Sequence, residues 1–204
     1  HLDHLVELGV TAVELMPVNQ FAGTRGWSYD GVLLFAPHNT YGTPHDFKSL
    51  IDACHQRGLA VILDVVYNHF GPVGNTMHNF GPYMTDKYRT PWGAGMNFDD
   101  MYSDEVRAYF SENALYWIHE FHLDALRLDA THFMYDFSAV TFIEDLIEQV
   151  GHYCQSSGRQ IYLIAESDQN LADLVMPLEQ GGFGMDVQWN DDFHHALFGN
   201  VVGA

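Results

Sequence analysis

Asp124-Ala125-Leu126-Arg127-Leu128-Asp129-Ala130 and Ile161-Tyr162-Leu163-Ile164-Ala165-Glu166-Ser167 are both short apolar runs that close on a carboxylate. An apolar run bounded by polar residues reads as a strand buried in a parallel sheet. An acid at the C-terminal end of such a strand stands where α/β barrels carry their chemistry, so Asp129 and Glu166 together suggest paired-carboxylate catalysis.

The same grammar repeats outward from these two strands. Leu2 to Leu8 has a helical pattern that stops at Gly9, ahead of the strand pattern Thr11 to Pro17. A Gly- and aromatic-rich loop is expected from Asn19 to Tyr41. Thr43 then reads as an N-cap with Pro44 at the first helical position, and Phe47, Leu50, Ile51 and Cys54 share one face before Gly58. The strand Leu59 to Val66 follows. From residue 70 to residue 102 the chain is rich in Gly and Pro and has no clear period, too long for an ordinary βα connection, and a functional insertion is expected there. Ser103 is expected to cap a helix carrying Val106, Phe110, Ala114, Trp117, Ile118 and Phe121. A further helix with Val140, Ile143, Leu146, Ile147 and Val150 inward is expected before Ile161, and a last short strand is expected over Met185–Trp189.

Alternating β and α units imply an α/β fold with a parallel sheet, either doubly wound or a barrel. A dinucleotide-binding fold requires a Gly-rich fingerprint directly after a strand, and the chain has none, which favours the barrel.

The 204 residues are 47% hydrophobic, enough for one core. With 27 acidic against 8 basic residues the net charge is −19, so the chain lacks the basic footprint for nucleic acid or an anionic membrane surface. A neutral or cationic substrate is expected, although acidity also simply keeps many enzymes dispersed. Cys54 and Cys154 form neither a disulfide framework nor a metal knuckle, which fits a reducing, cytoplasmic setting. No apolar run approaches the ~20 residues of a membrane span. The chain opens on His1 inside a helical pattern, and the expectation is a fragment of one catalytic barrel domain over residues 1–204. No motif points to a protein partner.

Three strand ends resemble the diagnostic blocks of the α-amylase superfamily, glycoside hydrolase family thirteen: Asp64-Val65-Val66-Tyr67-Asn68-His69, Leu126-Arg127-Leu128-Asp129-Ala130 and Ala165-Glu166-Ser167. The resemblance implies a partial (β/α)8 TIM barrel, about strands two to six with their helices, and makes 70–102 a short B-domain-like loop after barrel strand three. It implies Asp129 as nucleophile, Glu166 as general acid/base and Arg127 as the partner of the nucleophile. It likewise implies His69 and Asp64 around the sugar at the cleavage site, and Tyr29 as the aromatic on which that sugar stacks. Trp27 and Trp92 are further platform candidates, since an aromatic face suits the C–H face of a pyranose. The family's fourth block, source of a third carboxylate, lies beyond Ala204, so no turnover is expected from the 204 residues alone.

The physical reading of these residues is compatible with those roles. Retaining hydrolysis needs an ionised carboxylate at the anomeric carbon and a protonated one at the leaving oxygen, about 5–5.5 Å apart. Arg127 supplies a cation that favours the ionised form of Asp129.

Within the superfamily, Thr24 to Val32, Gly81-Pro82-Tyr83 with Tyr88 to Gly93, and Gln188 to His195 resemble the malto-oligosyltrehalose trehalohydrolase branch. That likeness implies an α-glucan, malto-oligosyltrehalose, as substrate and trehalose as product. The competing branch is the 1,4-α-glucan branching enzymes, and a non-catalytic glucan-binding barrel is the alternative of another class. His132 and Phe133 stand where many amylases have a Lys-His pair, which argues against ordinary starch cleavage. His132, Asp192 and His194 are accordingly candidate substrate contacts.

Plainer readings accompany several of these residues. Asp64 and Asp129 taken singly could cap strand ends. Asp191, Asp192, His194 and His195 resemble a metal cluster, but adjacent residues on a strand point to opposite faces and are poorly placed to bind one ion together, leaving substrate lining and packing both open. Asn68 occupies a position that binds calcium in many amylases, yet the six to eight oxygens calcium requires cannot be assembled. No cofactor and no obligatory metal is expected. Glu14 is expected to be paired inside the barrel floor, and Trp117 and Phe121 to be core.

Overall fold

The computed structural model describes residues 1–203. In chain order its elements are α1 (Leu2–Glu7), β1 (Ala12–Leu15), β2 (Asn19–Gln20), β3 (Leu33–Pro37), α2 (Pro44–His55), β4 (Ala60–Val65), β5 (Met84–Thr90) and β6 (Gly93–Met96). There follow α3 (Ser103–Phe121), β7 (Ala125–Leu128), α4 (Phe142–Ser157), β8 (Tyr162–Ser167), β9 (Val187–Asn190) and α5 (Asp191–Val202). Five strands pair in parallel in the order β1-β4-β7-β8-β9. Each new strand joins the same edge, so the sheet has no switch point of the doubly wound kind and curls as one part of a barrel wall.

Period-two alternation then separates core from site. Val61, Leu63 and Val65 of β4, Leu126 and Leu128 of β7, and Leu163 and Ala165 of β8 all belong to the buried core, which they share with Phe110, Trp117, Ile118 and Phe121 of α3 and with Phe142, Leu146 and Val150 of α4. The intervening residues, Asp64, Arg127 and Glu166, face the other way. Trp117 is fully buried and Phe121 is 2% exposed, core as expected. Truncating one such aromatic costs ~3–5 kcal/mol, so this layer holds the strand ends in register.

The helix starts follow local chemistry. Thr43 accepts the Asp46 amide while Asp46 accepts the Thr43 amide, a reciprocal cap with Pro44 at the first helical position. Thr141 and Glu144 make the same arrangement on α4. Val140, expected on the inner face of that helix, therefore precedes it and is 54% exposed. Leu50 is likewise 40% exposed at the rim of its face. Ser103 does begin α3, but its hydroxyl caps nothing; Tyr102 is the flanking residue, in the left-handed region at φ 62°.

Two segments expected to lack regular structure contain strands. Within Asn19–Tyr41, β2 pairs with β3 antiparallel, and after β4 the strands β5 and β6 form a hairpin with an irregular register. Both pairings are two-stranded and short, and neither shows clean alternation. The last strand spans Val187–Asn190, and Asp191 to His195 open α5, with Asn190 accepting the Phe193 amide as cap. The strand alternation argument for these acids and histidines therefore does not apply. Among the described residues no helix is long and apolar enough to cross a membrane.

Candidate active site

The parallel register brings the strand-end residues together. Asp64 on β4 lies directly opposite Arg127 on β7, and Arg127 opposite Ile164 on β8. Asp129 and Glu166, two residues beyond Arg127 and Ile164, continue on that same inner face. The turn after β7 is held on both sides: the Asp129 amide donates to the Val65 carbonyl (3.0 Å), and Ala130 adopts the left-handed conformation at φ 45°.

Arg127 is the hub. Its Nη1 donates to both oxygens of Asp64, at 2.8 and 2.7 Å, and to Asp129 Oδ1 at 2.8 Å, while Nη2 stands 3.6 Å from Glu166 Oε2. Asp129 and Glu166 are thus neighbours across one guanidinium. The Trp189 ring covers that guanidinium, its centroid 5.1 Å from Cζ. Asp129 also accepts from Asn68 Nδ2, at Oδ2 (2.9 Å) and at its carbonyl (2.7 Å). Glu166 accepts the Ala130 amide at Oε2 (2.7 Å), and its carbonyl accepts the Thr131 hydroxyl (2.9 Å). Tyr29 donates its hydroxyl to Asp64 Oδ2 at 2.6 Å.

These contacts shape protonation. Burial opposes the charged form of Arg127, but the hydrogen bonds and charge of Asp64, with the charge of Asp129, hold its pKa above the ordinary value. Burial pushes Asp64 up to about 6, against the pull of the Arg127 and Tyr29 hydrogen bonds. Burial and the bond to Asp64 raise Tyr29, keeping its hydroxyl a donor. His69 is lowered by burial, partly offset by the charges of Asp129 and Asp30. The Glu14 side chain makes no hydrogen bond or ion pair among the described residues, contrary to its expected pairing, and burial, then the charge of Asp64, pushes it up to about 7.

A cleft of about 310 Å³ opens over this layer, lined by Trp27, Tyr29, Asp30, His69, Trp92, Arg127, Asp129 and Glu166. Trp27 is 78% exposed and meets the Tyr29 ring edge-on at 5.3 Å. Trp92, at the turn between β5 and β6, stacks on His69 at 4.6 Å and meets Phe133 edge-on at 5.2 Å. The hairpin is tied down through Asp99, which accepts from Tyr88 (2.6 Å), Lys87 (3.0 Å) and the Phe137 amide (3.0 Å).

Eight of the eleven residues singled out from the sequence gather here, Asp64 as the buried anchor beneath the cleft. His132 does not line the cleft; it borders an adjoining cavity of about 140 Å³, with Nε2 3.4 Å from Asp168. Asp192 and His194 lie exposed on the first turn of α5 and are not brought into the cleft. Four contributors carry no assignment from the sequence: Asn68 as partner of Asp129, the Ala130 amide, Trp189 and Asp30. Trp189 had a signal, because it falls opposite Glu166 in register. The sequence suggests Asn68 only as an oxygen ligand for a cation. Its amide is engaged at both ends, the nitrogen by Asp129 and the oxygen by His69 Nδ1.

A family profile described as "Alpha amylase, catalytic domain" matches residues 1–90. Curated relatives named malto-oligosyltrehalose trehalohydrolase are 41–51% identical to the chain. That of Arthrobacter ramosus is 51% identical over 202 residues, covering 99% of this chain and 35% of its own length. A 1,4-alpha-glucan branching enzyme of Geobacillus stearothermophilus is 33% identical over 206 residues, covering 93% of this chain and 31% of its own. A crystal structure of a Salmonella typhimurium protein, described as a candidate alpha amylase, superposes with a TM-score of 0.87 at 44% identity over all of this chain and 34% of that one. The chain thus spans about a third of the length of the relatives it matches. Its parallel strands are part of a (β/α)8 barrel, and the chain belongs to the α-amylase superfamily.

Proposed function

We propose that the complete protein is a retaining α-glucan hydrolase that cleaves the α-1,4 bond next to a terminal trehalose in malto-oligosyltrehalose. The observation that carries this reading is the placement of Asp129 and Glu166 on either side of one guanidinium at adjacent strand ends. Asp129, with Arg127 and Asn68 bonded to its oxygens, attacks the anomeric carbon of the glucan unit. Glu166 gives its proton to the leaving oxygen, and trehalose departs. A covalent glycosyl-enzyme remains until water, deprotonated by Glu166, releases the malto-oligosaccharide and restores both carboxyl groups. Asp64 fixes the face of Arg127, while Tyr29, Trp27 and Trp92 offer rings to the sugar faces. His69, held neutral by burial, adds a hydrogen-bonding group without adding charge. Residues 70–102, with the β5–β6 hairpin, act as the B-domain-like excursion that carries Trp92. The trehalose assignment is supported by the names of the relatives and by the three loop segments that resemble that branch. The free thiols Cys54 and Cys154 suit a cytoplasmic enzyme.

The test is product analysis with the complete protein. Malto-oligosyltrehalose should yield free trehalose, and Glu166→Gln should slow turnover by roughly 10²–10⁴-fold. New α-1,6 branches on amylose would assign the protein to the branching enzymes. Glucan binding without turnover by the unaltered protein would leave the non-catalytic alternative.

A further inference from the structure

We propose that Asp30 is a sugar-binding, specificity-determining residue of this cleft, whose carboxylate accepts hydrogen bonds from free hydroxyls of the glucan. The inference rests on the reading of the cleft given above. Every other ionisable or hydroxyl side chain that lines it already has a protein partner: Tyr29 on Asp64, Asp129 on Arg127 and Asn68, His69 on Asn68, and Glu166 on the Ala130 amide. Asp30 alone among these is exposed and has neither a hydrogen bond nor an ion pair among the described residues. In a chain of net charge −19, a free carboxylate beside two others raises local repulsion and returns no stabilising contact. Its neighbourhood is nevertheless built with unusual constraint.

The backbone that carries Asp30 is clamped from two sides. The Gly71 amide donates to the Gly31 carbonyl at 3.0 Å, and the Val32 amide to the Gln20 carbonyl at 2.9 Å. Gly71 approaches so closely that a Cβ there would lie 2.0 Å from the Asp30 carbonyl oxygen. Just before the turn, Ser28 sits in the left-handed region at φ 75°, with its hydroxyl 3.0 Å from that of Tyr41. A carboxylate on so fixed a turn binds with little ordering of its own backbone left to lose. Being an acceptor only, it selects for hydroxyl donors over ring and glycosidic oxygens, and two oxygens suit adjacent hydroxyls of one pyranose. The aromatic rings take the flat faces of the sugar, and Asp30 takes its hydroxyl-bearing edge.

The experiment uses the complete protein. Asp30→Ala and Asp30→Asn are compared for KM and kcat on malto-oligosyltrehalose, and each is combined with Glu166→Gln to read the Kd of the same substrate by titration calorimetry. Asp30→Ala should raise KM and Kd by about 10–100-fold, with a much smaller fall in kcat, as expected for losing bonds to a charged acceptor. Asp30→Asn, which keeps one acceptor, should fall between, and its thermal midpoint should match that of the unaltered protein. KM and Kd within about twofold for both variants, or a fall in kcat alone, overturns the proposal. Failure of the wider reading looks different: Glu166→Gln would then retain full turnover whatever residue 30 is.

Discussion

The backbone amide of Ala130 donates to Glu166 Oε2 across 2.7 Å, so the residue that follows one strand-end acid directly positions the other. Ala130 itself stands in the left-handed conformation, φ 45° and ψ 53°, at the turn that presents this amide. A residue with a Cβ tolerates this region at a cost of about 1–2 kcal/mol, and a β-branched residue tolerates it worse. Ala130→Gly should keep both stability and turnover near those of the unaltered protein. Ala130→Val should lose about 1–3 kcal/mol, because Ala130 is also only 6% exposed and the added methyls have no room. Chemical denaturation of the two variants checks this; equal midpoints would mean that the turn is not under strain.

Asn68 is the second device that holds Asp129, and it is fully buried. Asn68→Asp keeps the shape but replaces a donor with a like charge against the Asp129 carboxylate. Two carboxylates in contact retain a proton to higher pH, so the acidic limb of the pH–rate profile should move upward and turnover at neutral pH should fall by about 10–100-fold. Asn68→Ala removes the bonds without adding charge. It should lower stability by about 1–3 kcal/mol and leave the limb nearer its original place. A profile for Asn68→Asp that coincides with that of the unaltered protein would sink the assignment.

The barrel strands were legible in the sequence because buried parallel strands are short continuous apolar runs bounded by Gly or polar residues, and the acids that close them interrupt the run. Asp129 and Glu166 stood out as the acids that close two such runs, whereas Asp64 and Arg127 were marked through the resemblance of their strand ends to the family blocks. The short pairings β2–β3 and β5–β6 were not legible, since strands of two to seven residues with mixed polarity carry no periodic signal. The helix at Asp191 escaped for a different reason. Its apolar residues Phe193, Leu197, Phe198, Val201 and Val202 do recur at helical spacing, but the helix follows the strand with no Gly or Pro between them to mark a boundary, and all five are more than half exposed. The Ala130 amide was invisible because a backbone donor has no residue type to read.

Gly71 gives the cleanest steric prediction. A methyl at residue 71 would lie 2.0 Å from the Asp30 carbonyl oxygen, and backbone cannot swing aside as a side chain can. Gly71→Ala should cost roughly 2–4 kcal/mol and, by shifting Tyr29 off Asp64, raise KM. Gly58→Ala is the control. Gly58 has positive φ, 73°, but a methyl there would meet nothing within 4 Å, so only about 1–2 kcal/mol of backbone strain is expected. Thermal unfolding of both variants separates collision from conformation, and equal losses would show that the contact with Asp30 relaxes freely.

Glu14 makes stability depend on pH with a definite sign. Its pKa is about 7 in the folded chain, raised from 4.5 by burial and by the charge of Asp64 against the opposing charge of Arg127. Between those values the folded state holds a proton that the unfolded state has lost, so this group makes stability fall as pH rises through the window and reach a constant deficit above it. Asp64, raised to about 6, acts in the same direction at lower pH, and is present in both proteins compared. Glu14→Gln removes the first contribution and breaks no hydrogen bond. The variant should match the unaltered protein near pH 4.5, gain progressively to pH 7, and be more stable by about 1–2 kcal/mol above it, a figure already reduced for partial solvent access. Thermal melts of both proteins at pH 4.5, 6 and 8 measure the difference directly. An advantage that stays constant across the series would mean that the carboxyl group of Glu14 finds its proton partner elsewhere in the barrel.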